Sequence, residues 1–161
     1  MIIDALSNKD GFQLIFSGDG PSKEMLEKMS LEAGVRNVTF TGRYKKAEEE
    51  IIVRQCGVIN NFTNRDINSD SLLSNRFYLS ATLRKPMIVR DGTYQAEIAK
   101  KFGLACIIKE NDNIVEKISS YKRNFDVLRY NQSCEAFIAY VKEDIKSFEA
   151  NITNLYNNCK I

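Results

Sequence analysis

The sequence predicts an α/β domain built on a doubly wound parallel sheet, with a long helix at its C-terminal end. Short apolar runs alternate with segments of helical periodicity, which is the pattern of βα units. The 161 residues, 43% of them hydrophobic and 27% charged, fit one globular domain over residues 1–161. A chain of this length buries enough surface to fold without a disulfide or a structural metal.

Five apolar runs have the length of buried strands. Turn-forming residues follow each run within three positions, as expected where a strand reaches the surface. The predicted strands are residues 12–16, 37–40, 56–62, 86–89 and 104–108.

Helical segments follow these strands, and residues 63–74 are polar enough to predict a loop. The predicted helices cover about residues 22–33, 45–55, 75–83, 94–102, the stretch after Asp112, and 134–156. Ser22 and Asp112 are predicted N-caps, and Gly34 is placed to end the first of these helices. Three apolar residues of that first helix share one face: Met25, Leu26 and Met29.

Composition excludes several classes of function. A net charge of +2, from 23 basic and 21 acidic residues mixed along the chain, is too weak to indicate a nucleic-acid partner. The absence of histidine excludes histidine acid–base chemistry and histidine-ligated metals within these residues. The spacing of the four cysteines matches no metal or redox motif and predicts buried thiols in a reducing compartment. Without an apolar membrane span or a basic leader, the chain is expected to be cytoplasmic.

The predicted fold directs attention to the carboxyl ends of its strands, where doubly wound sheets bind ligands. Three loops follow strands there: residues 17–22, 41–44 and 60–75. In the first, Gly18 and Gly20 let the backbone approach a ligand beside a helix N-terminus, although such a turn is more often only a turn.

The third loop leads into Ser74, Asn75 and Arg76, which place a hydroxyl, an amide and a guanidinium at the start of a helix. A cation in the first turn opposes the helix dipole by about 0.3–1 kcal/mol, and a bound phosphate would reverse that penalty. A solvated arginine beside a cap is the alternative. Arg43 and Tyr44 end the second strand, where Tyr44 could stack on a base or simply cover a helix.

The order of these elements resembles the C-terminal, nucleotide-sugar-binding domain of GT-B glycosyltransferases. The likeness is to the retaining family-4-like enzymes of bacterial capsule and exopolysaccharide synthesis. It covers nearly the whole chain from about Asp4 and includes three short motifs in the family's order. They are the strand ending in Gly-x-Gly-Pro at residues 12–21, Asn-Val-Thr-Phe-Thr-Gly at 37–42, and Lys-Pro-Met-Ile-Val at 85–89.

The resemblance implies a Rossmann-like half of a GT-B fold that transfers a sugar from a nucleotide-diphosphate donor without an obligatory metal. Ser74, Asn75 and Arg76 would contact the diphosphate, Gly18 and Gly20 would lie close to the donor, and the residues after the second strand would lie near the base. No catalytic residue is assigned. The glycan or lipid-linked acceptor would bind an N-terminal domain outside these residues, so transfer is not expected from this chain alone. The complete protein could be peripheral to the inner face of the membrane.

Several positions depart from the family pattern. Leu79 and Ser71 occupy positions where the family usually carries glutamates, and Arg84-Lys85-Pro86 replaces a glycine-containing turn. Residues 1–6 match the helix that follows the family's first strand, so that central strand is expected to be missing. These departures favour the alternative of a degenerate, non-catalytic binding module. A phosphoreceiver-like domain is disfavoured, because the strand ends lack an acidic cluster.

The last predicted helix carries an apolar stripe with alternating spacings of three and four. Its members are Cys134, Ile138, Val141, Ile145, Phe148, Ile152 and Leu155. Such a stripe can form a homodimer seam or pack onto the domain's own sheet, and both remain open.

Overall fold

The computed structural model describes residues 2–63 and 65–159 and has an α/β architecture. The strands are β1 (Leu14–Ser17), β2 (Val38–Gly42), β3 (Ile59–Asn61), β4 (Met87–Arg90) and β5 (Ala105–Ile108). The helices are α1 (Ile2–Leu6), α2 (Lys23–Glu32), α3 (Glu49–Gln55), α4 (Ile67–Ser71), α5 (Asn75–Thr82), α6 (Tyr94–Phe102), α7 (Ile114–Arg123) and α8 (Val127–Asn158). A 3₁₀ turn, Lys46–Glu48, precedes α3.

The strands are parallel and flanked by helices as predicted, but they form two sheets rather than one doubly wound sheet. β1 pairs with β2, and β3, β4 and β5 form a separate sheet with β4 at its centre. Within the described residues no ladder joins β1 to β3. The expectation of one continuous sheet was wrong because periodicity identifies strands but does not determine how distant strands pair.

The larger sheet is held by a core on each of its faces. On one face, residues of β4 pack with α5, α6 and α8 around Phe137, whose ring meets those of Phe77 and Phe102 edge-on at 5.4 and 5.5 Å. On the other face, Ile88 packs with residues of β5, α1 and α7. The side chains of Met87, Ile88 and Val89 are therefore buried in succession, as expected for a central parallel strand.

The smaller sheet is covered less completely. Its strands alternate half-buried and exposed residues, and α2 has no buried residue. Met25 and Met29 are each more than half exposed, so the apolar face predicted for this helix is not a core face. Ser22 precedes α2 with helical backbone angles and makes no capping hydrogen bond, which corrects its predicted role, whereas Gly34 ends the helix with φ 62° as expected.

Asn37 ties α1 to the start of β2. Its side-chain amide donates to the carbonyls of Leu6 at 2.9 Å and Phe12 at 3.0 Å, and its carbonyl accepts from the N–H of Asn8 at 2.7 Å. The small sheet is thus attached to α1 by these hydrogen bonds and by Phe12 and Leu14, which pack against the core that contains Ile2 and Leu6.

Three further boundaries differ from the sequence expectation. The polar segment predicted as a loop contains α4, which is capped by Asp66 through the N–H of Ser69. Asn113, not Asp112, caps α7, while the Asp112 carboxylate accepts from the N–H of Lys109. The last helix begins at Val127, seven residues before its apolar stripe, because Asp126 caps it there.

All four cysteines are free. Cys106 and Cys134 are buried, Cys56 is half-buried and Cys159 is exposed. Burial raises the pKa of the Cys106 thiol to about 11 and also raises that of Cys134, so both are neutral and weakly nucleophilic near pH 7. No helix among the described residues is both long and apolar enough to cross a membrane.

The difference between the two cores and the open surface predicts a matched pair of mutant stabilities. Leu104 is 0% exposed and Leu31 is 82% exposed. Leu104→Ala should lower the free energy of unfolding by about 2–5 kcal/mol, because it leaves a cavity in a closed core. Leu31→Ala should change it by less than about 0.5 kcal/mol. Urea denaturation followed by circular dichroism measures both, and equal losses would contradict the burial described here.

Candidate functional site

The turns after β1 and β2 lie side by side at the carboxyl edge of the smaller sheet. The two strands run parallel, with a shift of register between Phe16 and Ser17, and the N–H of Gly18 donates to the carbonyl of Gly42 at 2.9 Å. Gly18 has φ 135°, a conformation that side chains rarely adopt. Arg43 follows as an exposed residue and Tyr44 as a half-buried one. Two of the three predicted loops are therefore neighbours, as expected for parallel strands.

Ser74 is the N-cap of α5, as its position suggested. Its hydroxyl oxygen accepts from the N–H of Phe77 at 3.3 Å, and its proton is donated to the Gln95 carbonyl oxygen at 3.0 Å. Gln95 is 2% exposed and lies in the first turn of α6, after the N-cap Thr93. The hydroxyl is thus already used twice, so an anion at this helix would meet backbone N–H groups before it met the Ser74 proton.

Arg76 lies in the first turn of α5 and reaches the end of β3. Its guanidinium donates to the backbone carbonyl of Asn60 at 3.2 Å, and the side chain remains exposed. No ion pair among the described residues involves Arg76, and α5 has no acidic residue in its first turn. A cation therefore lies beside the positive end of a helix dipole without a carboxylate partner in the described part of the chain.

The loop between β3 and α5 is held by Arg90, a residue that sequence reasoning missed. Its Nε donates to the Thr63 carbonyl at 3.0 Å, and its guanidinium forms an ion pair with Asp70 of α4. The available signal was its position, because Arg90 is the last residue of the central strand and lies at the sheet's carboxyl edge. Gln95 gave no comparable signal, since a glutamine in a helical segment is expected at the surface and its burial cannot be inferred from the sequence.

The predicted site residues fall into two groups. Gly18, Gly20, Arg43 and Tyr44 belong to the smaller sheet, whereas residues 74–76 follow the larger one. Among the described residues, no hydrogen bond, ion pair or ring contact joins one group to the other. Each group lies beyond the carboxyl ends of its own strands, so the roles of these residues in binding a ligand remain predictions.

The described residues contain no group of three or more acidic or cysteine side chains placed to hold a metal ion. Neither a family model, nor a curated protein, nor a solved structure matches this chain. Proposals about its function therefore depend on its motifs and on the geometry given above.

The two hydrogen bonds of Ser74 predict a stability effect that a nearby serine should not show. Ser74→Ala removes the cap of α5 and should cost about 0.5–2 kcal/mol of unfolding free energy. The matched control is Ser71→Ala, because the exposed Ser71 hydroxyl bonds only to carbonyls of its own helix, and its loss should change stability little. Thermal or urea unfolding compares the two, and equal stabilities would show that Ser74 is not a cap in solution.

Proposed function

We propose that this chain is the donor-binding domain of a GT-B glycosyltransferase of capsule or exopolysaccharide synthesis. It would bind a nucleotide-diphosphate sugar whose sugar is transferred to a glycan or lipid-linked acceptor. The observation that supports it most directly is the placement of Arg76. This guanidinium is exposed in the first turn of α5, beside the N–H groups of Asn75 and its own backbone.

A diphosphate would satisfy both features of that helix terminus. The first N–H groups of a helix have no intrahelical acceptor, and the dipole favours an anion there. A guanidinium supplies paired donors to phosphate oxygens, and its charge offsets the anion's charge without a metal. A bound diphosphate would thus turn an unfavourable arrangement of Arg76 into a favourable one.

The smaller sheet would contribute the other end of the donor site. The turn at Gly18 and Gly20 leaves backbone open, since a Cβ added at either glycine would meet nothing within 4 Å. Tyr44 offers a ring for stacking on a nucleobase, and the backbone of Arg43 and Tyr44 offers donors and acceptors to its edge. The proposal requires the two groups to bind one ligand together.

The proposed activity of the isolated chain is donor binding rather than transfer. In the family that it resembles, the acceptor is bound by a second domain, and transfer occurs in the cleft between the two. No side chain here is assigned a catalytic role, and no cofactor is proposed. The donor is expected to be met in the cytoplasm, with the whole enzyme acting at the inner membrane face.

The alternative is a non-catalytic interaction module that has lost the donor. Leu79 and Ser71 favour it, because the resemblance implies carboxylates at both positions, one of them for the ribose hydroxyls. The commitment of the Ser74 hydroxyl to Gln95 favours it as well. Nucleotide binding separates the two functions.

A nucleotide titration monitored by amide NMR tests donor binding. Uridine or guanosine diphosphate should shift the amide signals of Gly18, Tyr44 and residues 74–76. Arg76→Ala should raise the dissociation constant by about tenfold or more, because it removes a charge-assisted hydrogen bond of about 1.5–3 kcal/mol.

Arg129→Ala is the matched control, since Arg129 is also an exposed arginine in the first turn of a helix, α8. It should leave the dissociation constant unchanged. Absence of shifts at millimolar nucleotide would reject donor binding and support the interaction module. Equal weakening by both substitutions would mean that overall charge, not the α5 terminus, attracts the nucleotide.

The C-terminal half of α8 is a second surface for which we propose a partner, a second copy of this chain. Cys134 and Phe137 are buried against the domain, but every residue from 142 to 159 is exposed. This part of the helix extends about 25 Å. It carries the stripe Ile145, Phe148, Ile152 and Leu155, each at least half exposed. Packing of the whole stripe onto the domain's own sheet is therefore excluded, and a helix-to-helix dimer would cover it.

The dimer predicts a specific effect of charge on this stripe. The native chain should have the mass of two copies in size-exclusion chromatography with light scattering, and Ile152→Glu should give one copy, because a buried carboxylate opposes association. Ser147→Glu places the same charge outside the seam and should leave the dimer intact. A native chain that is monomeric at all concentrations would reject the proposal.

A further inference from the structure

Three tyrosines reach the surface where α5, α6 and α8 meet. The exposed fraction of the residue is 38% for Tyr78 of α5, 42% for Tyr94 of α6 and 43% for Tyr140 of α8. No hydrogen bond of their hydroxyl groups is recorded among the described residues. Aromatic side chains that cluster at a surface mark a binding surface more often than those that are scattered singly.

Two of these tyrosines belong to one continuous layer of aromatic rings. The Tyr78 ring lies 5.9 Å from that of Phe137. The Phe102 ring lies 5.5 Å from that of Phe137 and 5.3 Å from that of Tyr140. Phe137 is buried, so it forms a floor from which the layer reaches the surface. Packing against the inner rings orients the two tyrosines before any ligand binds.

The antiparallel course of α6 and α8 brings Tyr94 to the same layer. Just after α6, the Ser133 hydroxyl would lie 3.3 Å from a Cβ added at Gly103, whereas the preceding Phe102 contacts the later Phe137. Tyr94 is the first residue of α6 and lies about 12 Å from Phe102 along the helix axis. It is therefore level with the part of α8 about two turns after Phe137.

Asp144 supplies a carboxylate in that part of α8. It follows Phe137 by seven residues and Tyr140 by four, and these spacings place the three side chains on one face of the helix. Burial raises the pKa of the Tyr78 hydroxyl, and the two other tyrosines and Asp144 raise it further, so all of them lie within electrostatic reach of Tyr78. No ion pair of Asp144 is recorded among the described residues. The tyrosine face consists of Tyr78, Tyr94, Tyr140 and Asp144.

Lys101 shows that these rings attract a cation. Its Nζ lies 4.2 Å from the centre of the Tyr140 ring and 5.1 Å from that of Phe102. Glu97 precedes Lys101 by four residues, which is the favourable order for an ion pair on a helix, yet no such pair is recorded among the described residues. The ammonium thus lies over ring faces in preference to a nearby carboxylate, as expected from the negative potential of an aromatic face.

We propose that the tyrosine face binds an arginine side chain of a partner protein. A guanidinium is planar and weakly hydrated, so it stacks on a tyrosine ring while its N–H groups donate to a carboxylate. The tyrosine hydroxyls accept further N–H groups. A neutral side chain would cover the rings but would leave Asp144 unpaired. The chemistry of the face therefore specifies its occupant, and this inference depends neither on donor binding nor on the dimer.

Two matched peptides test this on the native chain. The probe is a short peptide of alternating glycine and arginine, and its control carries citrulline in place of each arginine, because citrulline keeps the planar shape and loses the charge. The arginine peptide should shift the amide NMR signals of the tyrosine face. The citrulline peptide should bind at least about tenfold more weakly, because it loses the cation–π contact and the ion pair together.

A matched pair of variants tests the carboxylate. Asp144→Asn and Glu143→Gln each remove an exposed carboxylate of α8, but only Asp144 belongs to the tyrosine face. Asp144→Asn should raise the dissociation constant of the arginine peptide by about threefold to fivefold, whereas Glu143→Gln should change it by less than about twofold. Tyr94→Leu should raise it by about threefold, with circular dichroism confirming the fold. Should that variant not fold, the citrulline peptide decides on the native protein.

Four results would overturn the proposal. The first two are equal affinities for the arginine and citrulline peptides and the absence of shifts at millimolar arginine peptide. The third is equal weakening by Asp144→Asn and Glu143→Gln, which would mean that the overall charge of α8 attracts the peptide. The fourth is displacement of the peptide by an equal concentration of phosphocholine, which would assign the face to the quaternary ammonium of a lipid headgroup.

Discussion

Burial of β4 on both faces is the constraint on which the larger part of the molecule depends. Met87, Ile88 and Val89 are consecutive and at most 2% exposed, so apolar layers are needed above and below the strand. The aromatic contacts of Phe137 supply one layer, and α1 with α7 supplies the other. This requirement fixes where α5 and α6 begin, because both start just beyond the carboxyl edge of the same sheet. Ser74 and Gln95 meet there as a result.

The smaller sheet obeys a weaker constraint. Its rings of Phe16 and Phe40 stack at 5.1 Å, but α2 buries nothing over it. Its attachment to α1 combines the three hydrogen bonds of the Asn37 side chain with the packing of Leu14, a half-buried residue of β1, against the core that contains Ile2 and Leu6. A unit held in this way can change position at lower cost than one locked by a closed core. The predicted donor residues Gly18 and Tyr44 are on this unit, whereas Arg76 is on α5, which packs into the closed core of the larger sheet.

The sequence was sufficient where local chemistry decides the structure. Helix α6 covers the predicted residues because Thr93 caps it and Gly103 ends it with φ 73°, and both residues directly flank the segment. The sequence was insufficient where the structure depends on contacts between residues that are far apart along the chain. The apolar stripe of α8 begins at Cys134, but the helix begins at Val127, since its first turns are supported by Asp126 and by contacts of Tyr130 with the Lys85 and Leu104 carbonyls. The division into two sheets has the same origin, because the sequence of a strand does not indicate which distant strand it pairs with. The candidate site shows both cases: the cap at Ser74 was predictable from its own motif, whereas Arg90 acquires its role only when α4 is folded against it.

The contact between Arg76 and Asn60 ties the proposed donor site to the larger sheet. The Asn60 carbonyl lies on the free edge of β3, and the Arg76 guanidinium now donates to it at 3.2 Å. A phosphate bound at α5 would compete with this carbonyl for the guanidinium, which has no other acceptor among the described residues. An exposed guanidinium without an acceptor has more to gain from a phosphate than one already hydrogen-bonded. The contact with Asn60 therefore lowers the net gain from a phosphate at α5, because the guanidinium would exchange a backbone carbonyl for it.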